Sequence, residues 1–326
     1  MNHILAPTIT ALPGNTAGRV VVTGSHGGLY PGHLVLAARA RAAIFNDAGI
    51  GRDSAGIAAL HLLQEHGKAA AAVAHTSARI GDTDDMMSAG IISTANAFAV
   101  ACGVKPGMSC RDAAELLESA PLGSTATPAA PHEARLPWTC EQQTRAVILV
   151  DSASLVTAED VDAIIITGSH GGLIGGDPKK ALRVDGFAAV FNDAGIGKDD
   201  AGTTRLPALD DRGIAAFTVA ASSARIGDAR STLSEGLISR VNKTAEALGA
   251  RVGQSASEIC MQWAQARSLY WATRKTTFPA LPELAQANAA SKSANANSWV
   301  ISGDRSKLPE VRSRSTVCQV SSIKRP

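Results

Sequence analysis

The sequence predicts an α/β protein that is a tandem duplication of a Rossmann-like three-layer domain, in which a mostly parallel sheet lies between helices. Three observations predict this fold. The same motifs recur in the same order in both parts of the chain. Each motif directly follows a short apolar run of the kind that forms buried strands. Helical stretches of about 15 residues separate these runs, which favours parallel strands joined by helices. We therefore expect two halves related by pseudo-two-fold symmetry.

The internal repeat is the strongest of these observations. Three motifs occur twice at nearly constant spacing, and they are TGSHGGL (23–29 and 167–173), FNDAGIG (45–51 and 191–197) and SARIGD (77–82 and 223–228). A looser match pairs SAGIISTAN at 88–96 with SEGLISRVN at 234–242. The offset is 144 residues for the first motif and 146 for the other three, an agreement that chance does not produce.

The repeat also predicts the domain organisation. We expect a first α/β repeat at 1–118 and a second at 146–279, joined by a Pro/Ala-rich linker at 119–145. Residues 280–326 lose apolar periodicity and are predicted to be a tail. A chain of 326 residues fits two domains of about 150 residues each.

Each element of the first repeat follows from local pattern. RVVVTGSHGG predicts a strand that ends in a glycine-rich turn, as does DAIIITGSHGG in the second repeat. LVLAARARAAIFNDAG predicts a helix, the strand AAIF and a turn at Asn46 and Asp47. DSAGIAALHLLQEHG has helical spacing and ends at Gly67. AAAAVAHTSARIGD predicts a strand that leads into a polar loop, and SAGIISTANAFAVACG a helix closed by Gly103.

Composition excludes several classes of protein. Hydrophobic residues make up 45% of the chain, which is enough for a core, and aromatic residues only 4%, so Ala, Val, Ile and Leu must build it. A net charge of +2 disfavours a dedicated nucleic-acid binder. No apolar run nears the ~18 residues of a membrane helix, and the N-terminus lacks the pattern of a secretory signal. Five cysteines without CxxC spacing indicate a reduced, cytoplasmic protein. A homo-oligomer stays open.

The repeated motifs are expected to converge, because the carboxyl ends of parallel strands lie along one edge of a sheet. Residues that could carry acid, base or nucleophilic chemistry are the candidate catalytic group, namely Ser25, His26, Asp47, Asp82, Ser169, His170, Asp193 and Asp228. Residues that could hold a ligand are the candidate substrate-binding group, namely Gly27, Gly28, Asn46, Ser77, Arg79, Gly171, Gly172, Asn192, Ser223 and Arg225.

Each motif has a chemical and a structural interpretation. A glycine-rich turn with free N–H groups can hold a phosphate, a carboxylate or an oxyanion, or it can be a tight turn capped by its histidine. It is neither a P-loop nor a GxGxxG motif. Asn-Asp after a strand can form an Asx-turn, or the aspartate can act as acid or base, or orient a histidine. The arginine of SARIGD can grip a substrate carboxylate or form a local ion pair.

These groups favour a hydrolase of a small, anionic, carboxylate-bearing metabolite. The repeats differ at His75 against Ala221 and at Asp84 against Arg230, which favours one composite site with Arg79 or Arg225 as anchor. No cofactor is predicted. The alternatives are a metal-dependent hydrolase, a lyase or isomerase at the same loops, and a non-catalytic module that binds anions or nucleotides. If a divalent metal is bound, its expected ligands are His26, Asp47, His170 and Asp193.

Two strand ends resemble those of caspase-like cysteine peptidases. In that family one strand ends in His-Gly, which resembles His170 here, and another in Asp-Ala before the nucleophile, which resembles Asp193 and Ala194. The nucleophile's position is occupied by Gly195, and by Gly49 in the first repeat, so the resemblance implies no peptidase activity.

Overall fold

A computed structural model describes residues 3–124 and 133–266, which we call the first and the second half. Both belong to one compact unit. The predicted tail at 280–326, the end of the second repeat at 267–279 and part of the linker at 125–132 lie outside the described residues.

Eleven strands and nine helices form the described part of the chain. The strands are β1 His3–Ala6, β2 Val20–His26, β3 Ala42–Asn46, β4 Ala69–Val73, β5 Ile92–Ala95, β6 Arg135–Trp138, β7 Val147–Val150, β8 Ile164–His170, β9 Ala188–Asn192, β10 Ala215–Val219 and β11 Ile238–Val241. The helices are α1 Leu29–Ala37, α2 Ala58–Glu65, α3 Thr83–Ala89, α4 Ala97–Ala101, α5 Cys110–Leu117, α6 Arg205–Asp210, α7 Ala229–Glu235, α8 Lys243–Ala247 and α9 Ala256–Gln265. None of these helices has the length and apolarity that a membrane crossing needs.

Each half contains one mostly parallel sheet. In the described first half, β1 to β4 run parallel and β5 joins the edge antiparallel to β4. In the second half β7 to β10 run parallel, with β6 and β11 as antiparallel edges. The predicted α/β class with mostly parallel sheets is therefore confirmed. Strand β6 lies inside the segment predicted to be a linker.

The first sheet is buried on both faces because its central strands are apolar throughout. Every residue of β3 and β4 is buried. Val21 and Phe45 face a layer formed by α1 and α2. Val22 and Ile44 face α3 and α5 on the opposite side. The alanines of β4 let the helices approach closely, which explains a core with so few aromatic residues.

The strand order differs from that of a Rossmann sheet. Both sheets follow chain order, β1-β2-β3-β4-β5 and β11-β10-β9-β8-β7-β6, whereas the dinucleotide-binding order is 3-2-1-4-5-6. The Rossmann-like part of the prediction is thus not confirmed. Among the described strands, neither sheet has the reversal of strand order at which such folds open a crevice.

Two segments depart from the sequence expectations. The segment expected to form a helix closed by Gly103 contains strand β5 followed by α4, because Ile92 and Thr94 are β-branched and Asn96 caps a new helix through Ala99 N–H. The second half has no helix in the place of α1. Single 3-10 turns at Ile174–Gly176 and Pro178–Lys180 stand there.

Candidate functional site

The two halves meet through the loops that follow the strands. A Cβ atom on Gly49 would lie 2.8 Å from the Cα atom of Gly195, and the reverse also holds. Both glycines have left-handed φ values, +75° and +76°, so glycine is required there for two reasons. On either side, Arg52 N–H donates to Ala221 O and Lys198 N–H to His75 O, both at 2.8 Å.

Reciprocal ion pairs join the same loops. Arg79 Nη1 lies 2.8 Å from Asp199 Oδ2, and Arg225 Nη1 lies 3.0 Å from Asp53 Oδ2. The hydrogen bonds that the arginines donate to these aspartates raise the pKa of each arginine above its usual value. Lys198 adds a pair with Asp85 at 2.7 Å. Both arginines predicted to anchor the substrate thus have carboxylate partners in the opposite half.

A pocket of about 750 Å³ opens between the halves. It is lined by residues from both TGSHGG turns and from the segments that follow them. Of the predicted catalytic group, Ser25, His26, Ser169, His170 and Asp228 line this pocket. Of the predicted substrate-binding group, Gly28 and Arg225 line it. The structure therefore brings the Ser-His pairs of the two repeats into one cavity.

The two histidines present the same tautomer to the pocket. His26 Nδ1 accepts a hydrogen bond from Gly28 N–H at 3.1 Å, and His170 Nδ1 accepts one from Gly172 N–H at 3.2 Å. These bonds assign the proton of each neutral ring to Nε2. Within the described residues, neither Nε2 has a protein acceptor. Each ring is therefore a hydrogen-bond donor available to a ligand.

Both rings are neutral at physiological pH. Burial lowers the pKa of His26 to about 4, although its ring keeps some accessible surface at the pocket. Burial also lowers the pKa of His170 well below its usual value, and the nearby charges of Arg205 and His26 add to the shift. The effect of His26 on the pKa of His170 indicates that the two imidazoles are within electrostatic range of each other. Neutral rings with such low pKa values are poor bases and good N–H donors.

The two serines of these motifs hold the chain that precedes them. Ser25 Oγ accepts a hydrogen bond from Ile9 N–H at 3.0 Å, and Ser169 Oγ accepts one from Ala153 N–H at 2.9 Å. Neither hydroxyl bonds a histidine among the described residues. Asp228, at the edge of the same pocket, caps α7 through Ser231 N–H. A Ser–His hydrogen bond, within one half or across the two, is thus not formed among the described residues.

Asp47 and Asp193 lie outside the pocket, at the loops where the halves touch. Asp47 Oδ1 accepts a hydrogen bond from His75 Nδ1 at 2.8 Å. Burial acts to raise the pKa of Asp47, but the hydrogen bonds from His75 outweigh it and hold that pKa below its usual value. Asp193 Oδ1 accepts the N–H group of Ala221 instead, at 2.8 Å. One aspartate therefore orients a histidine and the other fastens a loop.

The other predicted residues also make local contacts outside the pocket. Asn46 and Asn192 form Asx-turns and donate to Ala78 O and Ala224 O. Ser77 and Ser223 each accept a backbone N–H and donate to a carbonyl, and Asp82 caps α3. Gly27 and Gly171 pack against the backbone of Gly56 and Gly202.

Arg205 belongs to the pocket and was missed by the sequence reasoning. It is only 3% exposed, yet among the described residues no carboxylate pairs with it. Its Nε donates to Gly172 O at 3.0 Å and its Nη1 to Ala181 O at 2.6 Å. Burial lowers its pKa to about 10. The sequence did contain a signal for Arg205, because the equivalent position of the first repeat is Ala59 and the two repeats therefore differ by a charge there.

Glu133 is the second residue that was missed. It lines the pocket close to Tyr30, within the segment predicted to be a linker. Burial raises the pKa of Glu133 to about 7; the hydrogen bond with Tyr30 opposes this shift and Asp151 adds to it. Burial also raises the pKa of Asp151. Because Glu133 lies outside the repeated motifs, a search for repeats could not find it.

Metal ligands do not gather in the part of the chain that the structure describes. There, no group of three or more His, Cys, Asp or Glu side chains is placed to hold an ion. Of the four ligands expected for a metal, His26 and His170 line the pocket, whereas Asp47 and Asp193 lie in the loops beside it.

Comparison with known protein families, with curated proteins and with solved structures found nothing that matches this chain. Its function is therefore inferred from the chemistry of the pocket.

Proposed function

We propose that the protein is an enzyme that hydrolyses a small, anionic, carboxylate-bearing metabolite in the pocket between its halves. One observation carries the proposal. His26 and His170, from equivalent turns of the two repeats, line one pocket as neutral rings whose Nε2–H groups have no acceptor among the described residues. Two such donors suit a substrate oxygen that becomes negatively charged during the reaction.

In hydrolysis of an ester or amide, that oxygen is the carbonyl oxygen of the scissile bond. Water adds to the carbonyl carbon, and the C=O electron pair moves onto the oxygen, where both imidazole N–H groups stabilise it. Donors already fixed in place need no rearrangement as charge develops, and each is worth about 10²–10³ in kcat. The intermediate collapses when the bond to the leaving group breaks.

Glu133 is the proposed proton carrier. With a pKa of about 7 it is ionised in part at neutral pH, so it can take a proton from the attacking water and return it to the leaving group. The histidines are too weakly basic for this step. Water is the proposed nucleophile, because the hydroxyls of Ser25 and Ser169 have no histidine partner among the described residues.

The pKa of Glu133 also favours a second candidate, an isomerase or lyase that removes a proton next to a carboxylate. The same two N–H donors would then stabilise an enolate. The isotope content of the product separates the two reactions. Hydrolysis in H₂¹⁸O places one ¹⁸O atom in the product, whereas proton abstraction in D₂O exchanges a C–H of the substrate for C–D.

The test is a panel of small carboxylate-bearing esters and amides assayed with wild type, His26→Asn and His170→Asn. We expect turnover of at least one compound by the wild type and a loss of about 10²-fold in kcat for each variant. His61→Asn is the matched control, because that side chain is 77% exposed on α2 and should be without effect. Unchanged kcat in both pocket variants would contradict the proposal.

We further propose that the halves arose by tandem duplication and are related by a pseudo-two-fold axis. The reciprocal pairs Arg79–Asp199 and Arg225–Asp53 support this, because exchanging the repeats exchanges the pairs. A cytoplasmic location is part of the proposal. The thiols of Cys110 and Cys260 are free and buried, as in a protein of a reducing compartment.

A further inference from the structure

We propose that Arg205 and the basic segment Lys179–Arg183 bind a doubly negative group of the ligand, a dicarboxylate or a phosphate monoester. The inference rests on the proposed site, but it does not depend on hydrolysis.

Arg205 carries a positive charge that is buried in the protein. A guanidinium removed from water is costly unless an anion compensates for it. The described part of the chain offers Arg205 only dipoles, the carbonyl oxygens of Gly172, Lys180 and Ala181, and the face of the Phe191 ring at 5.1 Å. Among the described residues, its Nη2 has no hydrogen-bond partner. A buried cation in a pocket wall with one nitrogen free is a place for an anionic ligand.

The part of the pocket wall formed by the basic segment is also positively charged. Lys179, Lys180 and Arg183 line the same pocket. Within the described residues Arg183 bonds only the carbonyl of Val156, at 3.2 Å, and Lys180 lies a distant 4.0 Å from Asp177. The wall thus has more than one positive charge without a close carboxylate, which favours a ligand with two negative charges.

The pocket's carboxylates do not neutralise this wall. Asp53 and Asp228 are both within ion-pair distance of Arg225. Asp151 is held by the N–H groups of Ala134 and Ala229. Glu133 faces Tyr30 instead.

The two halves differ in the places where the second half has these basic residues. Ala59 occupies the position equivalent to Arg205, and α1 occupies the place of the basic segment. Leu29, Tyr30 and Pro31 of α1 also line the pocket. The ligand would therefore lie with its dianionic end on the second half and its less polar part against α1, with the two histidines between.

The test measures binding without turnover. Inorganic phosphate and succinate are the dianionic probes, with acetate and chloride as monoanions, all at pH 7.5 and equal ionic strength. Calorimetric titration of the full chain should give tighter binding of at least one dianion, with a rise in Tm that follows its concentration. Preference for phosphate would indicate a phosphate monoester, and preference for succinate a dicarboxylate.

Arg205→Gln should raise the Kd of the preferred dianion at least tenfold. Arg212→Gln is the matched control, because Arg212 also holds carbonyls of the neighbouring segment, those of Leu182 and Val184, but has Asp185 as a partner and does not line the pocket. If Arg205→Gln does not fold, the double variant Lys179→Gln/Lys180→Gln, altered only in exposed side chains, should still raise the Kd severalfold.

Equal binding of acetate and the dianions would overturn the inference, as would a Kd unchanged in the Arg205 variant and in the lysine double variant. Either result leaves hydrolysis standing, because no turnover enters the measurement. Conversely, selective dianion binding by a protein that turns over no compound contradicts the proposed hydrolysis alone.

Discussion

At the scale of single residues, two imidazoles are kept neutral by their surroundings. Burial lowers the pKa of His26 to about 4 and that of His170 well below its usual value. The unfolded chain has ordinary histidines with pKa values near 6.5, so it binds more protons than the folded chain between these limits. The contribution of these two histidines to the free energy of unfolding is therefore fully present above pH 6.5, and it is lost as the pH falls towards 4.

The double variant His26→Asn/His170→Asn should lose less stability than the wild type between pH 7 and pH 4.5. We expect a difference of about 2 kcal/mol in the free energy of unfolding over that range, allowing for the accessible part of the His26 ring. Urea unfolding at a series of pH values measures it. Parallel profiles for the two proteins would show that the rings titrate normally.

The pKa of Glu133 is shifted in the direction opposite to the pKa values of the two histidines, so its effect on stability has the opposite dependence on pH. Its pKa is raised to about 7, so its contribution to stability is present below about pH 4.5 and is lost as the pH rises through 7. Glu133→Gln should therefore gain stability relative to the wild type as the pH rises from 5 to 8, in the same unfolding experiment.

At the scale of elements, much could be predicted from periodicity and turn residues. Apolar runs identified the central strands, and Gly67 marks the end of α2 with a left-handed φ. The segment around β5 was predicted as part of a helix, because the strand signal of its β-branched Ile92 and Thr94 covers only four residues. Its pairing with β4, more than 15 residues earlier, decides in favour of the strand.

The role of Asp82 also belongs to this scale. The sequence made it a catalytic candidate, whereas its Oδ1 accepts Asp85 N–H at the start of α3. Asp82→Ala should cost about 1 kcal/mol of stability through loss of this cap and leave kcat unchanged. Asp84→Ala, which removes an exposed carboxylate from the same turn, should cost less. A large loss of kcat in folded Asp82→Ala would give this residue a part in the chemistry.

At the scale of the whole molecule, the sequence pointed to a shared site but not to how the halves touch. The local pattern showed Arg79 three residues before Asp82 and could suggest only a pair within one loop. The partner Asp199 is 120 residues away, and only the docked halves reveal it. Arg205 and Glu133 were missed for a related reason, since each occurs in one half alone.

The pocket that the described residues of both halves share predicts one ligand per chain. Calorimetric titration with the dianion that binds best should give a stoichiometry of about one, because the two histidines and Arg205 line the same cavity. Two equal sites per chain would indicate that each half binds by itself.

Strands that pair in chain order affect how the protein is made. Each new strand joins the edge that the preceding strand has just left open, so no earlier pairing must be undone and the loops to be closed stay short. The first sheet can be complete while the ribosome is still adding the second half, since domains fold in the order of synthesis. The shared cavity forms last, when the late half docks, so a growing chain is protected by a folded core long before it is able to act on anything.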